Sequence, residues 1–393
     1  PGDLPITSMD EKRVAVGWDT RTWSRFHHIW LRDHCRCSIC LHPKTMQRLL
    51  NTFEIPPDIT PVKVESSLEG LRVVWPVHEY VESGEHESLY SWEWLKRNSY
   101  DPRIVKEETA EHFSRRKKIL WNVRIERSPP TISYNDVMKP GEEGKRALFR
   151  WLTNIETFGF SFITDVPPDA ISTESLVRKI SFIRETHYGG FWEFTSDLAK
   201  GDTAYTNIAL GAHTDNTYFP PQRTISTTSI TTNSTLGGQT LLVDGFYVAS
   251  ILRSLHPSAY HLLSSIHIPA HAAGERDSAG IFSTGDGFPV LSHNSMGDLI
   301  QVRWNNDDRS PLSSISPSVM EEFYSALRTF HSLLTTPDSE YLVQLRPGTA
   351  VIVDNHRVLH GRTAFTGKRR MCGAYIGKDE WRAKLKGLRE KYG

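Results

Sequence analysis

The chain has 393 residues, of which 38% are hydrophobic, and its 46 basic and 46 acidic side chains give a formal net charge of zero. This balance, without a long basic run, gives no electrostatic reason to expect nucleic acid or an anionic membrane as a partner, and no apolar stretch reaches the roughly 18 residues of a membrane-spanning helix. Because a single hydrophobic core stops growing near about 250 to 300 residues, the length predicts two domains.

The first part of the chain predicts a small β domain. Short strand-like segments such as RVAVGW (13–18) and GLRVVWP (70–76) stand between proline-rich turns. Lysine, arginine and glutamate then dominate the stretch KEETAEHFSRRKKILW, which has no strong apolar period. We therefore place the junction near residue 128, which predicts an N-terminal domain with its linker over 1–128 and a second domain over 129–393.

Three of the four cysteines lie within six residues, at Cys35, Cys37 and Cys40. This spacing is too tight for ordinary disulfides among all three. A single structural zinc ion with one remote ligand is the economical interpretation, and a histidine can be that ligand. The small cysteine count predicts a reducing, intracellular compartment. The chain begins at Pro1 without a signal-like segment, as a trimmed form would, so both the mitochondrial matrix and the cytoplasm are expected compartments.

The second domain predicts helices among many short strands. EEGKRALFRWLTNIETFGFSFITDV (142–166) indicates a helix that runs into a strand, and STESLVRKISFIRETHYG (172–189) has the spacing of an amphipathic helix. Segments such as GGQTLLVDGF (237–246) and LIQVRW (299–304) are rich in β-branched and aromatic residues. The pattern is typical of a sandwich or jelly roll, mainly β with flanking helices.

A histidine and an aspartate stand two residues apart in GAHTDNTYF (211–219). A mononuclear iron site for oxygen chemistry needs two neutral imidazoles and one carboxylate on one face of the metal. His213 and Asp215 supply two of these three groups. The segment VIVDNHRVLHGR offers two candidates for the third, His356 and His360. Each pattern alone is also typical of an ordinary polar turn.

Four segments taken together, HTDNTYF, GGQTLLVDGFY, DNHRVLHGR and FTGKRRMCGAY, resemble the Fe(II)- and 2-oxoglutarate-dependent oxygenases of the taurine dioxygenase superfamily, and within it the γ-butyrobetaine dioxygenase family. The resemblance extends from Trp30 to Tyr375. It implies a double-stranded β-helix (jelly roll) catalytic domain after a small zinc-bearing β domain. It further implies Fe(II), 2-oxoglutarate as co-substrate and ascorbate as reductant.

The resemblance also implies where the iron and the co-substrate bind. It assigns the iron ligands to His213, Asp215 and His360, although His356 stands where the family commonly has tryptophan. It assigns the far carboxylate of 2-oxoglutarate to Arg369, with a hydroxyl from Thr240. A guanidinium suits that carboxylate because it can donate two parallel hydrogen bonds, and strand alternation separates Arg369 from its basic neighbours at 368 and 370.

Four aromatic side chains match the family's cage for a trimethylammonium group: Tyr188, Trp192, Tyr205 and Tyr375. Tyr188 and Trp192 lie on one side of a helical turn if their segment is helical. Each ring face attracts a desolvated cation by roughly 0.5 to 2 kcal/mol. Asp202 stands where the γ-butyrobetaine enzymes resemble one another in having asparagine, and its carboxylate would pair with the α-ammonium of an amino-acid substrate.

The resemblance therefore implies hydroxylation of C3 of free N6,N6,N6-trimethyl-L-lysine, with succinate and CO2 as co-products, at the first step of carnitine biosynthesis. Three alternatives stay open: γ-butyrobetaine as substrate, a trimethyllysine inside a histone tail, and a non-catalytic methyl-lysine reader. For the zinc site, the family pattern points to His86 rather than His78 as the fourth ligand. The expected partners are trimethyllysine, 2-oxoglutarate, O2 and a second copy of the chain in a homodimer, with no nucleic acid or membrane.

Overall fold

The computed structural model describes residues 5–76, 86–104, 118–186, 189–195, 207–219, 224–232, 236–272, 285–367 and 370–393. Four of the residues assigned above lie outside this part of the chain: Tyr188, Asp202, Tyr205 and Arg369. The chain divides into two compact units, Pro1–Arg116 and Lys117–Gly393. Among the described helices, none combines the length and the apolarity that crossing a membrane requires.

The N-terminal unit contains two antiparallel three-stranded sheets, in the orders β1-β2-β3 and β4-β5-β6. Alternate residues of these strands are buried, among them Val14, Phe26 and Val73, and they form one core with Leu31 of the first helix. The period of two places one face of each sheet in the core. The elements are β1 (Ile6–Met9), β2 (Arg13–Gly17), β3 (Trp23–His27), α1 (His28–Asp33), β4 (Lys63–Ser66), β5 (Leu71–Trp75), β6 (His86–Tyr90) and α2 (Trp92–Arg97).

The second unit begins with β7 (Thr131–Ser133), α3 (Tyr134–Met138), α4 (Gly141–Phe158), β8 (Phe160–Thr164), α5 (Ala170–Ile180), β9 (Trp192–Thr195), β10 (Leu210–His213), β11 (Thr224–Thr232), β12 (Leu236–Gly237), β13 (Thr240–Asp244), α6 (Gly245–Leu255) and α7 (Pro257–Ser265). It continues with β14 (His267–Ile268), β15 (Phe288–Pro289), β16 (Leu291–His293), β17 (Leu299–Val302), α8 (Met320–Leu334), β18 (Tyr341–Val343), β19 (Ala350–Asp354), β20 (Val358–Arg362), β21 (Phe365–Thr366), β22 (Arg370–Gly377) and α9 (Lys378–Tyr392).

Two sheets face each other in this unit. One has six strands in the order β7-β8-β19-β11-β22-β9, and the other has four in the order β10-β20-β13-β18. Neighbouring strands are antiparallel except β7 and β8, which are parallel. Side chains from both sheets share one core, including Phe162 and Val351 from the first and Leu242 and Val358 from the second. The arrangement is the sandwich that the strand pattern predicts.

Helices cover the outer faces of both sheets. Ile352 of β19 and Ile376 of β22 pack with α4, α5 and α9, while Val243 of β13 and Leu359 of β20 pack with α6, α7 and α8. Because side chains alternate along a strand, the neighbours of these outward residues point between the sheets. The second unit is therefore a mixed α/β fold, and alternation determines which side chains enter its interior.

Two expectations about this unit need correction. The helix predicted over 172–189 ends at Ile180, because Ser181 is extended and the chain then joins the edge of β22, where the Arg184 N–H donates to the Tyr375 carbonyl at 2.8 Å. Trp192 accordingly lies in strand β9 and not in a helical turn. The second unit also starts before residue 128: Trp121 is buried in it, and its indole N–H donates to the Phe158 carbonyl at 2.7 Å.

Candidate metal and co-substrate site

Three side chains predicted to bind iron converge at one end of the four-stranded sheet. His213 ends β10 and is the cross-strand partner of His360 in β20, with ring centroids 4.8 Å apart. Asp215 follows two residues later, its Oδ1 3.5 Å from His213 Nε2 and its Oδ2 3.3 Å from His360 Nε2. Ligand atoms about 2.1 Å from one ion and at right angles to one another would be about 3.0 Å apart. The three groups therefore fit a single metal ion after small adjustments.

The hydrogen bonding and charge of the cluster suit a metal. His213 Nδ1 lies 2.8 Å from the Gly211 carbonyl, which can only accept, so Nδ1 carries the proton and Nε2 is the free ligand atom. Burial alone would raise the pKa of Asp215, but the adjacent His360 and His213 hold that pKa well below its usual value. Asp215 is therefore ionised at neutral pH, as a metal ligand must be. Two imidazoles and one carboxylate are the ligand set of non-haem Fe(II) oxygenases.

His356, the competing candidate for the third ligand, is not part of this cluster. It lies in the turn between β19 and β20 and is 5% exposed. Its side chain lies apart from the three ligand groups, although it lines a cavity of about 110 Å³ that Asp215, Asn216, Thr217 and Arg303 also line. The separation follows from strand geometry, because His360 lies on the inward face of β20 whereas His356 precedes the strand.

The residues predicted to bind 2-oxoglutarate or to form the aromatic cage also point between the sheets where they lie in the described part of the chain. Thr240 is buried in β13 and is the cross-strand partner of Arg362. It precedes Leu242, the cross-strand partner of His360, by two residues and so shares the inward face with it. Tyr375, in β22, donates its hydroxyl to Asp215 Oδ2 at 3.1 Å. Trp192 is the cross-strand partner of Gly373, which precedes Tyr375 by two residues.

The contact between Tyr375 and Asp215 was missed by the sequence reasoning, which assigned Tyr375 to the cage alone. The two residues are far apart in the chain, and no local pattern joins them. The only signal in the sequence is that a tyrosine stands where a phenylalanine would serve equally as an aromatic wall. A buried tyrosine hydroxyl needs a hydrogen-bond partner, and here the partner is the metal-binding carboxylate.

A larger cavity adjoins the cluster on the side of His213. Its volume is about 470 Å³, within the usual range of small-molecule sites. Trp304, Asn305 and Asn306 line it on one side, and side chains of α8 line it on the other. Its lining carries charges of both signs, from Arg309 and Arg328 and from Asp307 and Glu340. This cavity is large enough for a small organic acid or an amino acid beside the candidate metal position.

The cysteine cluster in the N-terminal unit has the geometry of a second metal site. The sulfur atoms of Cys35, Cys37 and Cys40 lie 3.3, 3.7 and 3.5 Å from His86 Nε2. In a tetrahedral zinc site, with bonds of about 2.3 Å to sulfur and 2.0–2.1 Å to nitrogen, this separation is about 3.6 Å. Arg32 Nη1 lies 3.3 Å from the Cys40 sulfur and offsets thiolate charge. The four donors match a Cys3His site without rearrangement.

Comparison with known proteins shows the family of the chain. The family profile described as "Taurine catabolism dioxygenase TauD, TfdA family" matches residues 124–375, which is more than half of the chain. The chain belongs to this dioxygenase family. The profile described as "Gamma-butyrobetaine hydroxylase-like, N-terminal" matches residues 6–96, the region that contains the cysteine cluster. The first of these matches contains all three residues of the histidine–aspartate cluster.

The chain is also similar to individual members of this family along nearly all of its length. A trimethyllysine dioxygenase of Meyerozyma guilliermondii is 43% identical, and the match covers 96% of this chain and 94% of that protein. One from Neurospora crassa is 40% identical, with 90% and 78% covered. The mitochondrial trimethyllysine dioxygenase of Homo sapiens is 36% identical, with 91% and 82% covered.

Proposed function

We propose that this dioxygenase hydroxylates C3 of free N6,N6,N6-trimethyl-L-lysine, the first step of carnitine biosynthesis. The observation that carries the proposal is the 43% identity, over 96% of the chain, to a protein named trimethyllysine dioxygenase. In the reaction one oxygen atom of O2 enters the C3–H bond of the substrate. The other enters 2-oxoglutarate, which loses CO2 and becomes succinate.

The chain supplies the metal ligands and the scaffold around them. His213, Asp215 and His360 would hold Fe(II) on one face, which leaves positions for 2-oxoglutarate and O2. Fe(II), when bound, supplies the centre at which O2 is activated. Thr240 is placed to donate to the far carboxylate of 2-oxoglutarate, with Arg369 as the predicted cation. The two facing sheets support the description of this unit as a double-stranded β-helix, with the ligands at one end of the smaller sheet.

Substrate recognition is proposed to use an aromatic cage and a carboxylate. A trimethylammonium group cannot donate a hydrogen bond, so ring faces are its natural partners. Tyr375 supports this role because its hydroxyl holds the ring next to the metal-binding carboxylate. Trp192, Tyr188 and Tyr205 are the other predicted walls. Asp202 is predicted to pair with the α-ammonium, which γ-butyrobetaine lacks, and so to select the amino acid.

Further parts of the proposal concern the rest of the protein. The Cys3His geometry supports a structural zinc ion in the N-terminal unit. Ascorbate is proposed as the reductant, since Fe(II) that has been oxidised outside productive turnover must be reduced again. The homodimer and the reducing intracellular compartment, mitochondrial matrix or cytoplasm, stay predictions.

A competition experiment tests the function. Anaerobically Fe(II)-loaded enzyme receives 2-oxoglutarate and O2 together with free trimethyllysine, γ-butyrobetaine and a trimethyllysine-containing peptide, and succinate and hydroxylated products are measured by mass. We expect oxidation of free trimethyllysine, with one succinate formed for each oxygen atom incorporated. Preferential oxidation of γ-butyrobetaine or of the peptide, or binding without turnover, contradicts the proposal.

The variant Asp202→Asn tests the basis of selectivity in the same assay. Removing the carboxylate leaves the substrate's α-ammonium without its predicted partner. Turnover of trimethyllysine should therefore fall strongly while oxidation of γ-butyrobetaine is retained or rises. Unchanged kinetics with both substrates would show that another group recognises the α-ammonium.

A further inference from the structure

Asn355 makes two hydrogen bonds to the main chain of one metal-binding residue. Its Oδ1 accepts from the Asp215 N–H at 2.8 Å, and its Nδ2 donates to the Asp215 carbonyl at 3.0 Å. The side chain is only 1% exposed, so water does not compete effectively for these groups. We propose that Asn355 is a positioning residue, which sets the distance of the Asp215 carboxylate from the two imidazoles.

The main chain at Asp215 needs support from outside its own strand. Strand β10 ends at His213, two residues earlier. Asn216, the next residue, has φ +56°, a left-handed conformation that costs non-glycine residues roughly 1 to 2 kcal/mol. Thr214 is held from another side, by bonds of 2.7 and 3.0 Å with the main chain of Trp304. The two bonds from Asn355 hold the main chain of Asp215, whereas Tyr375 holds its carboxylate.

The turn that carries Asn355 is held on both sides, at Asp354 and at Arg357. Asp354 forms a buried ion pair with Lys378 at 3.4 Å. Arg357 binds Asp244 through two hydrogen bonds, of 3.1 Å from Nε and 2.9 Å from Nη2, and both of these side chains are almost fully buried. Such a bidentate pair has little freedom to move. The Asn355 amide is therefore presented from a rigid turn.

The same turn leads directly into the strand that carries the third ligand. β20 begins at Val358, and His360 is paired across the sheet with His213. Sheet register thus sets the position of the two histidines relative to each other, whereas the hydrogen bonds from Asn355 set the position of Asp215 relative to the histidines. Loss of the Asn355 amide should leave the imidazole pair in place and release the carboxylate. Removal of groups that orient metal ligands typically costs roughly 10- to 100-fold in metal affinity.

The experiment measures metal binding directly, without substrate. Protein freed of iron, with the metal of the N-terminal unit left in place, is titrated with Mn(II), and free Mn(II) is followed by electron paramagnetic resonance. Mn(II) prefers oxygen and nitrogen ligands and does not select a thiolate-rich site, so it reports on the histidine–aspartate cluster. We expect roughly 10- to 100-fold weaker binding in Asn355→Ala. Asn355→Asp keeps the size and the acceptor but loses the donor to the Asp215 carbonyl, and it should also bind Mn(II) more weakly.

A matched control separates positioning from general loss of stability. Asn122 lies in the same unit, and its side chain also makes two hydrogen bonds, to the Arg124 N–H and to Asp338. Asn122→Ala should lower the free energy of unfolding without changing Mn(II) affinity. Wild-type Mn(II) affinity in a folded Asn355 variant overturns the proposal, and so does an equal loss of affinity in Asn122→Ala. If Asn355→Ala does not fold, the Mn(II) affinity of Asn355→Asp decides whether the proposal holds.

This inference rests on the metal cluster of the proposed function and not on the substrate. If the wild-type protein binds Mn(II) but does not oxidise trimethyllysine, the proposed substrate is wrong while the Mn(II) titrations still decide the role of Asn355. The ratio of succinate to hydroxylated product gives a second measurement in the active enzyme. A displaced carboxylate should raise this ratio, whereas a purely structural defect should lower both products together.

Discussion

The two metal-ligand clusters of this protein are built in opposite ways. In the N-terminal unit, Cys35, Cys37, Cys40 and His86 provide four donors, and these donors complete a tetrahedron. In the second unit, His213, Asp215 and His360 provide three donors on one face and leave positions open. A metal ion with four protein donors has no position left for other ligands, and such a site favours stability. A metal ion with three protein donors can also bind a co-substrate and O2. The number of ligands therefore separates a structural site from a catalytic one.

The largest expected effect comes from removing a ligand of the three-donor cluster of His213, Asp215 and His360, called here the open site. Asp215→Ala should abolish Mn(II) binding and lower turnover on the order of 10⁴-fold, because the ligands act as a unit. The zinc content proposed for the N-terminal unit should equal that of the wild type, as measured by elemental analysis. Loss of zinc in this variant would show that the two clusters are not independent.

Removing a ligand of the four-donor cysteine–histidine cluster, called here the closed site, should destabilise the fold of the N-terminal unit. Zinc binding contributes about 10 to 16 kcal/mol to small zinc-dependent units, so Cys40→Ala should lose zinc and make the N-terminal unit sensitive to proteolysis. Cys372→Ala is the control, since Cys372 is a buried cysteine of the second unit. A Cys40→Ala protein with full zinc content and unchanged protease resistance would contradict the assignment.

A smaller effect is expected from the hydroxyl that contacts the open site. Tyr375→Phe removes the hydrogen bond to Asp215 but keeps the aromatic ring. Mn(II) affinity should fall by about 10-fold, with little change in the Michaelis constant for trimethyllysine. Tyr375→Leu should in addition raise that constant, because the ring face is lost. Equal behaviour of the two variants would mean that the ring makes no contribution to substrate binding.

The smallest effect is expected at the contact between helices α4 and α9. Tyr392 and Lys391 hydrogen-bond to Glu142 and lower its pKa to about 2. A depressed carboxyl pKa stabilises the folded state above the unfolded pKa, near 4.3, and this contribution is lost as the pH falls towards 2. Glu142→Gln should therefore slightly lower the melting temperature at pH 7, and the difference from wild type should vanish near pH 2. Zinc content and Mn(II) affinity should not change.

Much of the fold followed from local patterns. The helix and strand predicted over 142–166 appear as α4 and β8. The helix predicted over 172–189 was too long because the helical spacing of apolar residues continues past Ile180. Beyond Ile180 the chain instead pairs with the distant strand β22. Tertiary contacts override helical propensity wherever they satisfy the main chain equally well.

The sequence by itself determined the chemistry of the donors. His-x-Asp and Cys-x-Cys-x-x-Cys are local patterns, and the side chains in them limit which metals can bind. Side chains alternate along a strand with a period of two. This alternation also determined that Thr240 and His360 each point to the same side of the sheet as the inward residue two positions away in the same strand.

The local pattern left His356 and His360 open, the family resemblance pointed to His360, and the tertiary structure groups His360 with His213 and Asp215. Only the tertiary structure showed the hydroxyl of Tyr375 on Asp215 and the amide of Asn355 on the Asp215 main chain. The physical reason is the same in each case. These contacts join residues that are distant in the chain, and their geometry depends on sheet register and on how the two sheets face each other. No short segment of sequence contains that information.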